Sequence, residues 1–140
     1  MIEPQTGERG HRSVPHTADT RIEAWAPTRE TCLAEAVAGL VASFVDTTGA
    51  RPVRTATLDL TADSDADTLV EVLDEVIYLL DTQGDVPIDT EVRPGPAIQL
   101  HLTPVAGVRA TGAAPKAVTL HDLRFERTDG GWSCAVTIDV

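Results

Sequence analysis

The chain has 140 residues, 42% of them apolar, and a mean hydropathy of -0.04, which suits one compact domain and excludes a solvated disordered chain. Its formal net charge is -11, from 22 acidic and 11 basic side chains, so its average field repels phosphate backbones and disfavours nucleic-acid binding by the protein alone. No apolar run approaches the roughly 18–20 residues that cross a bilayer, and residues 1–10 lack the apolar core of a signal peptide, so we expect a soluble, cytoplasmic protein without a membrane partner.

The chain opens with a predicted strand and helix. Apolar and polar residues alternate over 20–25, as they do in a half-buried strand. Thr28 is a suitable N-cap for a helix over 29–45, where apolar residues recur at three- and four-residue steps. The recurring positions are Leu33, Val37, Leu40, Val41 and Phe44.

A second strand and helix follow. Alternation returns over 55–61 and predicts a strand. The helical period then resumes with Ser64 or Asp65 as the cap, and Gly84 ends the helix.

The remaining third of the chain is strand-like in short pieces. These predicted strands are 86–92, 97–103, 117–127 and 132–139, and the last two form a hairpin. The inward parity slips at His121 and Asp122, which predicts a β-bulge in the third of these strands. Bulges often direct side chains towards functional sites.

This order of elements predicts a single α+β domain spanning residues 1–140. Two helices would pack on one sheet that is mostly antiparallel or mixed, because the helices come early and the strands follow in succession. Residues 1–12 are polar and are expected to form a flexible N-terminal segment.

Common catalytic motifs are missing from the sequence, which contains no dinucleotide-binding glycine pattern, phosphate-binding loop, zinc-protease helix or hydrolase nucleophile elbow. The four histidines do not form a metal pair on one helix, which disfavours zinc. Cys32 and Cys134 are too few for a disulfide framework, and Cys134 has the inward parity of its strand. We therefore expect two buried thiols.

Three carboxylates could meet at strand ends. Asp19 precedes the first strand, Asp139 ends the last one, and Val140 adds a main-chain carboxylate beside it. If these strands are neighbours, the oxygen-only set suits a hard divalent cation, calcium or magnesium. Spacing alone favours the alternative, in which Asp19 caps a turn and the chain end frays.

Lys116 is the only lysine in the sequence and stands just before the strand that carries His121. A single lysine among arginines can be retained for its compact ammonium, whose hydration and shape a guanidinium does not reproduce. A surface lysine that arose by chance is the alternative.

The acidic side chains are concentrated in residues 51–91, which hold 11 acidic and 2 basic side chains. A charge run of this kind is usually a solvated face that keeps a protein soluble. A surface for a basic protein partner is the alternative.

Taken together, these segments resemble the archease family over nearly the whole chain. The resemblance lies in His16-Thr17-Ala18-Asp19 with residues 21–25, Gly39-Leu40 to Asp46, Leu79 to Gly84, Lys116 to Asp122, and Gly130-Gly131-Trp132 to Val140.

The resemblance implies a small α+β protein that assists an RtcB-type RNA ligase. That ligase joins a 2′,3′-cyclic or 3′-phosphate end to a 5′-hydroxyl in tRNA splicing and RNA repair. Family members promote guanylylation of the ligase and its multiple turnover, and they bind a divalent ion, often calcium. By this resemblance Asp19, Asp139 and Val140 are the metal ligands. Lys116, His16 and His121 are the residues expected to activate the ligase or contact phosphate.

Three functions therefore remain open from the sequence. The first is the metal-binding accessory protein of an RtcB-type ligase, with no catalytic residue of its own. The second is a small stand-alone metal-dependent hydrolase or transferase, and the third is a protein-binding module with another partner. No nucleophile with an adjacent base is recognisable, and aromatic residues make up only 4% of the chain, which argues against a catalytic pocket.

Overall fold

The computed structural model describes residues 7–15, 18–93 and 97–140. Within these ranges the chain forms nine strands and two helices. The strands are Gly10–Pro15 (β1), Asp19–Ala26 (β2), Val45–Asp46 (β3), Arg54–Asp59 (β4), Asp85–Val92 (β5), Ala97–Pro104 (β6), Arg109–Ala110 (β7), Ala117–Thr128 (β8) and Gly131–Asp139 (β9). The helices are Arg29–Ala42 (α1) and Asp65–Gln83 (α2), and a single 3₁₀ turn covers Val105–Gly107.

Both helices begin where their caps predict. The Thr28 hydroxyl accepts from the Thr31 N–H at 3.1 Å, and the Ser64 hydroxyl accepts from the Asp67 N–H at the same distance. Gly84 ends α2 with φ 69°, a left-handed conformation that glycine adopts without steric cost. α1 ends earlier than expected, at Ala42, because the chain turns there and enters β3.

The strands form three antiparallel sheets, so the expectation of one sheet is wrong. The four-stranded sheet has the order β1-β2-β9-β8, the three-stranded sheet β4-β6-β5, and β3 pairs with β7. Alternation predicts which face of a strand is buried but not which strand lies beside it, and this is why the split was not foreseen. The α+β class, the two helices and the antiparallel pairing are confirmed.

One hydrophobic core joins the helices to the inner faces of both larger sheets. α1 packs mainly on β2 and β5, while α2 packs on β8. Cys32 and Cys134 are both buried there, as predicted, with their sulfur atoms 3.8 Å apart. The neighbouring Cys134 sulfur, together with burial, raises the pKa of the Cys32 thiol, so this thiol stays protonated in the core.

The last residues of the N-terminal segment 1–12 form regular structure, contrary to expectation. Residues 10–12 belong to β1 and pair with β2, so the sheet begins inside the segment that we expected to be flexible. No helix in the described part of the chain combines the length and apolar character needed to cross a membrane.

Candidate functional site

The two aspartates predicted as metal ligands face each other at one end of the four-stranded sheet. Asp19 is the first residue of β2, Asp139 is the last residue of β9, and the antiparallel register pairs them directly. Directly opposed side chains lie on the same face with Cβ atoms about 4.5–5.5 Å apart. Asp139 is exposed and Asp19 is half-buried. The sheet therefore brings both carboxylates together at the protein surface.

Val140 continues β9 by one residue beside this pair. Its N–H donates to the Ala18 carbonyl at 3.2 Å, and its side chain packs against the hydrophobic core. The backbone at this position is therefore held in place by both a hydrogen bond and apolar packing. We call Asp19, Asp139 and Val140 the strand-end site.

Lys116 lies next to the strand-end site. Its backbone N–H donates to the Asp139 carbonyl at 2.7 Å, and the following residue, Ala117, pairs with Asp139 across β8 and β9. Pro115, just before it, is buried and fixes the entry of the chain into β8, whereas Lys116 itself is exposed. The only lysine of the sequence is thus attached through its backbone to a predicted metal ligand.

The predicted bulge in β8 lies at the same end of the sheet. The register between β8 and β9 shifts between Thr119 and Arg124, and Asp122 has φ 53°, a left-handed value that is uncommon outside glycine. Arg21 holds the bulge, because its guanidinium donates to the Asp122 carbonyl and to the Thr137 hydroxyl, each at 3.3 Å. Sequence reasoning predicted this bulge but missed the arginine that supports it.

The bulge presents three exposed residues to solvent, Leu120, His121 and Asp122. His121 is exposed and its Nε2 lies 3.1 Å from Asp122 Oδ2, while Leu120 is 71% exposed. His121 and Lys116 therefore both lie on the β8 side of the strand-end site. His16, the third residue expected to contact phosphate, lies outside the described residues.

Most arginines are already engaged with acidic side chains. The ion pairs are Arg9–Glu35, Arg12–Glu23, Arg29–Asp65, Arg54–Asp85, Arg93–Glu91, Arg109–Asp46 and Arg124–Glu126. Arg21 bonds the bulge, and Arg127 lies over the Trp132 ring. Among the lysine and arginine side chains of the described residues, Lys116 and Arg51 have no ionic, hydrogen-bond or ring partner. Lys116 is the one of these two that neighbours the strand-end site.

A second group of metal-capable side chains was not predicted. Asp89 and Glu91 on β5 and His101 on β6 place one ligand atom each within 4.8 Å of one another. The hydrogen bond from His101, followed by one from Arg93, lowers the pKa of Glu91. The outward parity of Asp89 and Glu91 was visible in the sequence, but their pairing with His101 depends on the β5–β6 register.

The acidic helix α2 borders a groove of about 810 Å³. Its wall combines apolar side chains such as Ile77 and Tyr78 with carboxylates of Asp67, Asp74 and Asp81, and none of the described basic residues lines it. Partial burial raises the pKa of the Asp74 carboxyl, as it does for the adjacent Glu75. This surface suits either of the two interpretations that the charge distribution left open, a solvated face or a basic partner.

Relatives share both the sequence and the fold. The archease protein family (MTH1598/TM1083) matches residues 11–140. The chain is 54% identical over 134 residues to a protein named "Probable protein archease" from Mycobacterium tuberculosis, an alignment that covers 94% of this chain and 75% of that protein. It is also 29% identical over 143 residues to "Protein archease" of Archaeoglobus fulgidus, covering 93% of this chain and 98% of that one.

Two solved structures share the architecture. Protein 1598 of Methanobacterium thermoautotrophicum superposes with a TM-score of 0.76 at 19% identity, covering 94% of this chain and 99% of its own. A Thermotoga maritima protein described as "an archease, possible chaperone" superposes with a TM-score of 0.68 at 22% identity, covering 100% and 98%. At such identities the structures establish the fold, while the family match and the mycobacterial relative establish descent. The chain belongs to the archease family.

Proposed function

We propose that this protein is a metal-binding accessory protein that activates an RtcB-type RNA ligase in tRNA splicing and RNA repair. In this role it promotes guanylylation of the ligase and its multiple turnover. The observation that supports the proposal best is the juxtaposition of Asp19 and Asp139 with Lys116, in a chain of the archease family. A divalent cation and a phosphate-binding cation would thus be presented together on one exposed end of the sheet.

The strand-end site fits calcium or magnesium. Its donors are oxygen atoms from Asp19, Asp139 and the main chain of Val140, the ligand type that hard cations prefer. Because Asp139 is exposed, the remaining coordination positions are open to water or to a partner's phosphate. When bound, the ion would supply charge neutralisation and polarisation of phosphoryl oxygens.

Lys116 and His121 would contact phosphate groups from the β8 side. The Lys116 ammonium carries three donors and is not engaged by any other described side chain, so it can reach an incoming anion without breaking an ion pair. His121 is exposed and adds a second nitrogen donor when it is protonated. The Arg21 contacts keep the bulge, and hence His121, in position.

Several features favour an accessory role over catalysis by this chain. Both cysteines are buried, and the protonated Cys32 thiol is no nucleophile. The strand-end site lies on an exposed sheet end, which suits insertion into a partner better than enclosure of a small substrate. The description "possible chaperone" for the Thermotoga maritima relative also refers to action on another protein.

The isolated protein should not bind RNA tightly. The formal charge of -11 opposes phosphate, and seven of the basic groups are already neutralised by ion pairs. RNA contact would therefore require the ligase. A tight, salt-sensitive gel shift by the isolated protein near 0.15 M salt, about physiological ionic strength, would contradict this part of the proposal.

A reconstituted ligation assay tests the main proposal. An RtcB-type ligase, GTP, a divalent cation and an RNA with a 2′,3′-cyclic phosphate are incubated with and without this protein, and guanylylation and multiple turnover are followed. Lys116→Ala should lower the rate at saturating protein, because a group needed in the transition state is not replaced by excess protein. Arg51→Ala is the matched control, since Arg51 is also a free exposed cation but precedes the other sheet.

Two outcomes of this assay would reject the proposal. Lys116→Ala that activates as well as wild type at saturation would show that the strand-end site is not the working surface. Ligation or hydrolysis of the RNA without any ligase would favour a stand-alone enzyme instead.

Metal binding is tested separately by calorimetric titration. Wild type should bind Ca²⁺ or Mg²⁺, and Asp19→Asn and Asp139→Asn should each weaken that binding by at least about tenfold, because one of few charged donors is lost. Unchanged affinity in both variants would exclude the strand-end site as the metal site, whatever the ligation assay shows.

A further inference from the structure

The outward face of the three-stranded sheet carries a cluster with a different donor set. Asp89 and Glu91 project from β5 and His101 from β6, and their ligand atoms all lie within 4.8 Å of one another. We propose that Asp89, Glu91 and His101, here called the sheet-face cluster, form a second metal site that binds a divalent transition metal, zinc above all. The site lies on a different sheet from the strand-end site and does not depend on the proposed function.

A β-bulge in β5 assembles the cluster. Pro87 pairs with Leu102, so regular pairing would place Ile88 opposite His101; the register shifts, and Asp89 takes that position instead. Every second residue of a strand lies on the same face, so Glu91 shares the face of Asp89 and lies diagonally across from His101. One inserted residue therefore replaces an apolar neighbour of the histidine with two carboxylates.

The imidazole of His101 is held in an orientation suitable for a ligand. Its Nδ1 lies 3.0 Å from the Thr55 hydroxyl on β4, and its Nε2 lies 3.0 Å from Glu91 Oε1. Metal-binding histidines regularly have their second ring nitrogen fixed in this way, which sets the tautomer and the ring direction. Thr55 would accept from Nδ1–H, leaving the Nε2 lone pair for the ion.

Each carboxylate keeps an oxygen atom within reach of an ion bound at His101. Arg93 donates to Glu91 Oε2 at 3.3 Å, which leaves Oε1 on the side of His101. Among the described residues, nothing donates a hydrogen bond to the Asp89 carboxylate, which is exposed. If Glu91 and His101 formed only a cross-strand ion pair, Asp89 would have no part in it, so Asp89 distinguishes the two interpretations.

The donor set selects the metal. Imidazole nitrogen favours zinc and its neighbours in the first transition row, whereas calcium and magnesium prefer sites made only of oxygen. With bonds of about 2.0–2.1 Å, tetrahedral zinc places its ligand atoms about 3.4 Å apart. The separation of 3.0 Å between His101 Nε2 and Glu91 Oε1 is already near this value. A rotamer change of the exposed Asp89 would bring its carboxylate to a similar distance from the other two ligand atoms. Water would occupy the fourth position.

Zinc titration of the full chain tests the site. The Asp139→Asn background removes a carboxylate of the strand-end site, so that remaining Zn²⁺ binding, measured by calorimetry, reports on other sites. In that background we expect Zn²⁺ to bind with one equivalent, Asp89→Asn to weaken binding by at least about tenfold, and His101→Gln to abolish it. His121→Gln is the matched control, since His121 also faces a carboxylate at 3.1 Å and is exposed.

Several results would overturn the proposal. These are absence of Zn²⁺ binding in the Asp139→Asn background, unchanged affinity in Asp89→Asn, or loss of binding in His121→Gln. Because His101→Gln also removes two hydrogen bonds, Asp89→Asn is the deciding variant, and circular dichroism establishes that each variant is folded. A second readout is the thermal midpoint in the Asp139→Asn background. Zn²⁺ should raise it there, and should raise it less when Asp89→Asn is added, because stabilisation by mass action falls with the affinity of the native-state site.

Discussion

Replacing a leucine by alanine at Leu73 and at Leu120 compares the loss of a buried side chain with the loss of an exposed one. Leu73 lies on the inner face of α2 and is 0% exposed, while Leu120 in the β8 bulge is 71% exposed. Replacing Leu73 by Ala removes three carbon groups, worth about 2.4 kcal/mol at about 0.8 kcal/mol each. The cavity left behind adds about 1–1.5 kcal/mol, as it relaxes only in part. We therefore expect the free energy of unfolding to fall by about 3–4 kcal/mol.

Thermal unfolding followed by circular dichroism measures this difference. For a chain of 140 residues the entropy of unfolding is about 0.3 kcal/mol/K, so Leu73→Ala should lower Tm by about 10–13 °C. Leu120→Ala should change the free energy of unfolding by less than about 0.5 kcal/mol. Equal shifts in the two variants, or a Leu73→Ala protein within about 2 °C of wild type, would show that the inner face of α2 is not packed as described.

Two further predictions concern the pH dependence of stability and a tight turn. Partial burial raises the pKa of Asp74 in the native state above its value in the unfolded state, so the native state binds the proton more tightly. The free energy of unfolding therefore falls as the pH rises from the unfolded-state pKa to the native-state pKa. Asp74→Asn should therefore raise Tm at pH 7, and the gain should vanish near pH 3, about one unit below the ordinary pKa of aspartate. An equal gain at pH 7 and at pH 3 would show that the pKa of Asp74 is not raised in the native state. Gly131 has φ 147°, and a Cβ there would lie 2.3 Å from the Ala26 carbonyl oxygen. Gly131→Ala should lower the free energy of unfolding by at least about 1 kcal/mol in urea titration, whereas an unchanged midpoint would show that the β8–β9 turn adapts.

The helices and longer strands could be predicted because each carries a periodic pattern. The cap of α1 at Thr28 and the end of α2 at Gly84 are chemical signals within a few residues of chain. The two-residue strands β3 and β7 are too short for any period to show. Likewise, the division into separate sheets depends on which strands are neighbours, and this is fixed by packing across the core rather than by local sequence.

The two metal-capable sites also differ in whether the sequence alone could predict them. Asp19 and Asp139 could be proposed together because each stands at the end of a predicted strand and the family resemblance joins them. The sheet-face cluster could not, because it arises from the bulge at Ile88 and from the pairing of β5 with β6. The sequence alone disfavours zinc because no two histidines are spaced as a metal pair on one helix. A single His101 with carboxylates from the neighbouring strand leaves no recognisable spacing in the sequence.

The position of β9 between β2 and β8 has a consequence for how the protein is made. During translation, β1, β2 and α1 leave the ribosome long before residues 131–139, and β9 is the strand that pairs with both β2 and β8. Until β9 emerges, β2 has an unpaired edge and the apolar side chain of Ile22 lacks part of its native cover. The interval between synthesis of the second strand and the ninth is therefore when a nascent chain is most exposed to aggregation, and slow decoding just before residues 131–139 would lengthen it.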